Sequence, residues 1–409
     1  MNGWIRWGIT QLFFVLSVIC NISFAISSPN LISSLGLEEA QLGELGGIYF
    51  ASFSIALLII GGLMSTIEPR LLLGGSAVVA AIGALILSAA NGFEGALIAR
   101  LLMGVGLSTA FVGVITYVSK EFPQNFAFMA ALSNAIANLC SALLAITNSV
   151  IPILAGFRAP FRLLAPLMLF TAGLLFVVLR ERKSSSESAS IPAEGSPQAT
   201  LSAAELPTAI CKILTTPQFW YVALYFGGLF GSFLAYADLW NIPYQLKVFG
   251  HTIQHASLLN SAFPIGMSVG SLIGGAWANR AGFLIPIRVF SIVALVTEAL
   301  LFGNALPEAG AGFAFFLVGI GCSAASLALA ALPEHLEAIL VPIATTFVMT
   351  FTYLLSALIQ VLAGQPGGKS GITTFTSYQG SIATIVVPVA IAAASSFLIR
   401  RRTRATAAI

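Results

Sequence analysis

A chain of 409 residues that is 58% hydrophobic and 8% charged, with mean hydropathy +0.96, is far short of the roughly 25% charged residues of a soluble domain. The solvent around most of it is therefore lipid, which excludes an ordinary soluble enzyme. A net charge of only +3 excludes a nucleic-acid surface.

A helix that crosses the hydrocarbon core needs about 20 mostly apolar residues. About twelve such runs are predicted, at 8–28, 43–64, 71–90, 95–118, 126–154, 163–180, 217–239, 255–277, 284–304, 310–331, 338–363 and 373–399. The first has no small-residue cleavage site and reads as a retained helix rather than a signal peptide. The fifth and eleventh are long, so tilt or kinking is expected in them. Between the sixth and seventh the composition turns to Ser, Ala and Pro over residues 184–200, a flexible solvated linker. The predicted architecture is an all-α membrane protein with two pseudo-symmetric six-helix bundles. Residues 1–182 form the first bundle, 183–215 a cytoplasmic linker and 216–409 the second bundle.

Orientation follows from Lys and Arg. With the N-terminus inside, thirteen of the eighteen fall in cytoplasmic segments. Arg158, Arg162, Lys247 and Lys369 fall outside, and Arg100 lies within the membrane. Both termini are expected to be cytoplasmic, in the inner (plasma) membrane. The cysteines Cys20, Cys140, Cys211 and Cys322 form no CxxC pair and no metal spacing, so they read as packing residues. His335, with Glu334 and Glu337 beside it, has no metal spacing either and reads as a solvated loop.

The two halves echo each other. Gly61-Gly62-Leu63-Met64 after the second run parallels Gly275-Ala276-Trp277-Ala278 after the eighth. Leu102-Met103-Gly104-Val105-Gly106-Leu107-Ser108 parallels Leu317-Val318-Gly319-Ile320-Gly321-Cys322-Ser323. The offsets, 275 − 61 = 214 and 319 − 104 = 215, place both pairs in one register and imply a duplicated six-helix unit.

These segments resemble the major facilitator superfamily over essentially the whole chain. That family carries G-x-L-A-D-R-x-G-R-K between helices two and three, with a weaker copy between eight and nine. Here the second copy is the better one. Gly275, Ala278, Arg280 and Gly282 match, and Asn279 replaces the acid. In the first copy Ser65 stands in the acid's place and Glu68 in that of the second glycine, with Arg70 following. In the family this loop braces one state by an acid–base contact to the other bundle; Gly275, Asn279, Arg280, Gly282 and Arg70 are its candidates here. Arg100 to Gly106 resembles R-x-x-Q-G-x-G, with Met103 for Gln. The antiporter signature on helix five is absent, since residues 133–153 hold no glycine, which disfavours a drug/proton antiporter. Leu239-Trp240-Asn241-Ile242-Pro243-Tyr244, closing helix seven, also resembles bacterial members.

The candidate transport residues are polar groups placed in lipid, where each needs a neighbouring helix or a wet cavity. Arg100 reads either as a counter-charge for a carboxylate or as a clamp bonding carbonyls of the first two helices. Asp238, the sole aspartate, reads either as a gate or proton-coupling acid or as a solvated helix-end acid. Glu298, well inside the ninth run, reads as a proton-handling acid or as a neutral acid bonded to a neighbouring helix. Four helices carry one-sided polar stripes. These are Ser17 and Asn21 on the first, Asn134, Asn138, Ser141 and Asn148 on the fifth, Tyr221, Tyr225, Ser232 and Tyr236 on the seventh, and Thr345, Thr352 and Ser356 on the eleventh. Arg100, Asn21, Asn134, Asn138, Tyr225 and Thr352 are the expected solute contacts.

The sequence thus predicts a secondary transporter working by alternating access on a small solute, an organic anion or amino acid, with proton coupling through Asp238 or Glu298. It is read as a monomer without a cofactor or metal and not as an enzyme. No G-x-x-x-x-G-K-[ST] loop is present to use ATP. An exporter of lipophilic drug-like compounds, using the 30 phenylalanines, is the alternative. A polytopic membrane enzyme would need a catalytic set that three scattered histidines do not supply, and a non-transporting solute sensor would carry an added soluble domain.

Overall fold

The computed structural model describes residues 3–63, 67–150, 156–180, 206–302, 310–337, 339–365 and 375–401. In lipid every backbone polar group must be paired within the chain, and helices do this locally. Among the described residues the regular structure is all helical. The first half holds α1 (Gly3–Leu35), α2 (Glu39–Leu63), α3 (Pro69–Ala89), α4 (Phe93–Glu121), α5 (Phe126–Val150) and α6 (Arg158–Val178). The second holds α7 (Pro217–Val248), α8 (Ile253–Ala281), α9 (Leu284–Phe302), α10 (Ala311–His335), α11 (Val341–Gly364) and α12 (Phe375–Leu398). Eleven of these are long and apolar enough to cross a membrane, and α12 adds a further apolar stretch, Ala383–Leu398. Large side chains such as Val177, Phe128 and Phe170 are exposed on the outer faces, where lipid rather than water accommodates them. Of the expected linker, residues 183–205 lie outside the described residues, and Leu206–Thr215 forms a short helix leading into α7.

The turns follow from local chemistry. Gly36 closes α1 at φ +62° and Gly250 closes α7 at φ +66°, a left-handed conformation that glycine adopts without a Cβ penalty. Thr252 then caps α8, its Oγ1 accepting from the His255 backbone N–H at 3.2 Å. Among the described residues the irregular turns do not fall in the two long runs singled out from sequence. They lie in α4, which breaks at Ser108; in α7, which has π turns at Gly227–Gly231 and Tyr236–Trp240; and in α10, which tightens to a 3₁₀ turn at Ala324–Ala331. The glycines of α7 make the distortion locally cheap, whereas Phe126–Val150 holds neither glycine nor proline.

The duplication is visible in contacts. A Cβ on Gly104 would strike the Tyr49 carbonyl of α2, and one on Gly319 would strike the Phe263 carbonyl of α8, with 263 − 49 = 214. Gly106 fits against Ser76 and Ala80 of α3, and Gly321 against Phe290 and Ala294 of α9, with 290 − 76 = 214. Each G-x-G therefore lets one helix approach two neighbours closely, and each half does it alike.

The halves meet along α2 with α11 and α5 with α8, and where α1 crosses α7. At the end remote from the termini, here the far end, Glu39 of α2 pairs with Lys247 of α7, and Asn148 Nδ2 of α5 donates to Ser257 Oγ of α8 at 3.4 Å. Gly43, Gly46 and Gly47 of α2 lie directly on Gln360, Ala357 and Val361 of α11. Nearer the middle, Ser54 Oγ donates to the Thr350 carbonyl at 2.9 Å. At the terminal end Arg6–Glu121 and Lys212–Glu337 each stay on one half's side. The far end is the sealed one.

Candidate functional site

Below that seal lies a cavity of about 440 Å³ bounded by both halves. Its wall is largely apolar, with nine aromatic side chains among the described lining residues. Phe50 and Phe53 of α2 meet Tyr353 of α11 at ring centroid distances of 5.9 and 4.5 Å, and Phe230 and Phe233 of α7 stack at 6.0 Å. Polar groups interrupt it at Ser17 and Asn21 of α1, at Asn134, Asn138 and Ser141 of α5, and at Asn260, Ser268 and Ser271 of α8. Among the described lining residues the only charged side chain is Asp238. Its Oδ2 accepts from Asn21 Nδ2 at 2.5 Å, a hydrogen bond that joins the two halves at the roof of the cavity. Asn21 Oδ1 is buried without a partner, whereas Asp238 is half-buried, so the carboxylate is the acceptor within reach of whatever enters.

The expected contacts divide. Asn21, Asn134, Asn138 and Asp238 lie on the wall. Arg100 lies behind it, fully buried on α4, with its guanidinium carbon 3.8 Å from the Phe24 ring centroid and 4.1 Å from that of Tyr49. Its Nε donates to the Leu45 carbonyl of α2 at 3.2 Å, and Nη1 has no hydrogen-bond partner. Tyr49 separates it from the cavity. Tyr225 donates to the Ile287 carbonyl of α9 at 2.8 Å, and Thr352 to the Val348 carbonyl of its own helix at 2.8 Å; neither is a lining residue. Glu298 is buried in α9 within electrostatic reach of Cys322, a lining residue of α10, and its Oε2 has no partner.

The stripe expected on helix seven does not hold together. Tyr225, ahead of the first π turn, turns to α9, and that turn adds a residue to the helical repeat beyond it, so Ser232 donates to the Ile385 carbonyl of α12 and Tyr236 joins Phe263 and Phe315. The aromatic face of α7 that reaches the cavity is Phe226, Phe230 and Phe233 instead. Asn260, Ser268 and Ser271 of α8 were missed, although their spacing places them on one helical face.

The loop residues lie at the terminal end. Asn279 and Arg280 are exposed, Gly275 has open space beside it, and Gly282 ends α8 at φ +78° against the Arg401 guanidinium. Arg70 Nε donates to Glu68 Oε2 at 2.5 Å within its own loop. Ser65 lies outside the described residues.

Two pseudo-equivalent helical bundles enclosing a central cavity define a membrane transporter of the two-bundle type. Residues 9–360 match the sequence profile of the Major Facilitator Superfamily, and the chain belongs to that family. A stretch of 114 residues is 33% identical to the nitrate/nitrite transporter NrtP of Picosynechococcus sp., covering 28% of this chain and 21% of that protein, so the match spans about a fifth of that relative's length. Similar solved structures are a bacterial homologue of the human lysosomal transporter Spinster, inward-facing and unoccupied, and the nucleoside transporter NupG. The first has TM-score 0.70 at 15% identity over 97% of this chain and 96% of that one; the second has 0.69 at 14% over 98% of each. At these identities the likeness is one of fold.

Proposed function

We propose that this transporter exchanges an amphipathic solute carrying a cationic or hydrogen-bond-donating head for a proton, with Asp238 as the shared site. The observation that carries this is the charge of the wall: one carboxylate shares it with nine aromatic side chains, no lysine, arginine or histidine is among the described lining residues, and the cation within electrostatic reach of Asp238, Arg100, stands behind Tyr49. Aromatic faces attract cations, and a carboxylate in lipid needs a counter-charge or a proton. One carboxylate cannot hold both at once, so occupancy by one expels the other. The Lys and Arg distribution supports cytoplasmic termini in an inner membrane, and on that orientation the cavity faces the cytoplasm below a closed outer end. A monomer suffices, since both walls come from one chain.

The test is uptake of ethidium into proteoliposomes under an imposed proton gradient. Gradient-driven accumulation, reduced at least 100-fold in Asp238→Asn while downhill ethidium exchange persists, is the expected result. Accumulation indifferent to the gradient overturns it.

A second reading rests on the unpartnered Nη1 of Arg100: an organic anion or amino acid, with the short match to a nitrate/nitrite transporter in its favour. It requires Tyr49 to swing aside. Thermal stabilisation by carboxylates or nitrate that is lost in Arg100→Ala would select this reading over the first.

A further inference from the structure

One polar chain in the second half belongs to neither reading. It begins at the far mouth of α7 and ends in the cavity. Gly250 turns the chain so that the His251 backbone N–H donates to the Gln245 carbonyl at 3.2 Å, which also brings the His251 ring to the Gln245 side chain, Nδ1 to Oε1 at 2.9 Å. Gln245 Nε2 lies 3.3 Å from Asn241 Oδ1, one helical turn below. Asn241 Nδ2 lies 2.7 Å from Asn260 Oδ1 on α8, and Asn260 Nδ2 lies 3.1 Å from the Ala237 carbonyl, the residue before Asp238. Gln245, Asn241 and Asn260 are completely buried, and Asn260 is a lining residue.

The direction of this relay is fixed at one end by chemistry. A backbone carbonyl can only accept, so Asn260 must turn its NH₂ toward Ala237. Its oxygen then faces Asn241, which must answer with NH₂; the oxygen of Asn241 faces the NH₂ of Gln245; and the oxygen of Gln245 faces His251. Reversing any one amide places two oxygens or two NH₂ groups face to face. His251 must therefore carry a proton on Nδ1, and it does so both as the neutral ring and as the imidazolium, because the second proton goes to Nε2. The relay keeps its direction whether or not His251 is charged. Asn260 is left with one N–H and one oxygen lone pair, beside the acid that the proposed function uses.

We propose that Asn260 is a solute-contacting residue whose N–H edge recognises a hydrogen-bond acceptor on the solute, and that Asn241, Gln245 and His251 are positioning residues that fix its amide from the far mouth. The solute class sharpens accordingly, to a cationic head with an ether, ester or hydroxyl oxygen close by. This rests on the cation reading of the cavity, but the relay itself does not.

Two measurements test it. The first is ¹⁵N NMR of histidine-labelled protein in detergent at neutral pH, assigned with His255→Gln and His335→Gln. His251 is expected as the Nδ1–H tautomer, and is expected to revert toward the commoner Nε2–H form in Asn241→Leu, which cuts the relay without touching His251. An Nε2–H ring in the unaltered protein overturns the relay whatever the solute is. The second is inhibition of ethidium uptake by benzoylcholine, which has an ester acceptor, and by phenyltrimethylammonium, which has none. Asn260→Leu and Asn241→Leu are expected to weaken benzoylcholine about tenfold and phenyltrimethylammonium less than twofold, and His251→Asn, which restores a donor at the Nδ1 position, to behave as wild type. Equal losses for both inhibitors reduce the relay to a structural clasp and overturn the contact. Inhibition by neither compound overturns the cation reading and the acceptor assignment with it, and leaves the NMR result to decide the relay alone.

Discussion

The two halves solve one packing problem with different chemistry. In the first, Arg100 of α4 lies between the rings of Phe24 of α1 and Tyr49 of α2. In the second, Phe315 of α10 stacks on Phe263 of α8 at 4.8 Å and meets Tyr236 of α7 at 6.2 Å. Arg100 and Phe315 are separated by 315 − 100 = 215, and Tyr49 and Phe263 by 263 − 49 = 214, the offsets of the glycine contacts. The same three-helix junction is thus filled once by a third aromatic ring and once by a guanidinium. Shape alone does not demand the charge, because the second half is packed without it.

That comparison can be broken or sharpened. The largest effect is expected from Phe315→Arg, which buries a second cation between two rings and should cost about 4 kcal/mol or abolish accumulation in the membrane, since an unpaired buried charge is severely penalised. Thermal unfolding in detergent measures it, and a tolerated arginine would show that the junction is wetter than its burial indicates. Arg100→Ala should lose about 3 kcal/mol as a large side chain is removed from a packed site. Arg100→Phe, copying the other half, should recover all but about 1 kcal/mol of that loss. If it recovers nothing, the bond from Nε to the Leu45 carbonyl, and not filling, is what holds α4 to α2.

Smaller effects test the shared part of the junctions. Gly104→Ala and Gly319→Ala each push a methyl into a backbone carbonyl, at a cost of about 2 kcal/mol from overpacking. Equal losses in unfolding temperature are expected, and a difference above about half that cost would mean that one helix pair yields more readily. The smallest effect is Glu39→Gln, which cuts the far-end pair with Lys247. Lys247 is about one-third exposed, so the loss should be no more than about 1 kcal/mol. It is read as a roughly fivefold faster reaction of an impermeant maleimide with a cysteine placed at Ser27, in a background without native cysteines.

The repeat, the run of spans and the family were legible because lipid demands long apolar helices and because a G-x-G in register marks a close contact in both halves. Asn21, Asn134, Asn138 and Asp238 were traceable to the cavity for a related reason: a carboxamide or acid in lipid has few places to go. Depth was not legible. Arg100, Tyr225 and Thr352 are as polar as the lining residues, yet they stand behind the wall against rings or backbone carbonyls, and a helix apolar on every side gives no sign of which face is wet. The π turns of α7 are a second limit, because they shift the face that a 3.6-residue repeat assigns to every residue beyond them.

The glycines of α2 carry a mechanical consequence. At Gly43, Gly46 and Gly47 the seam with α11 is backbone against helix, with no side chain of α2 inserted between the turns of its partner. Interlocked side chains act as gear teeth and must disengage before two helices shift. A bare face acts as a plain bearing, on which one helix rolls over another with little to unlock. Over that stretch the far end is therefore shut by a few discrete bonds laid over a smooth joint, and side chains of α2 engage α11 only further along, at Phe50, Phe53 and Ser54.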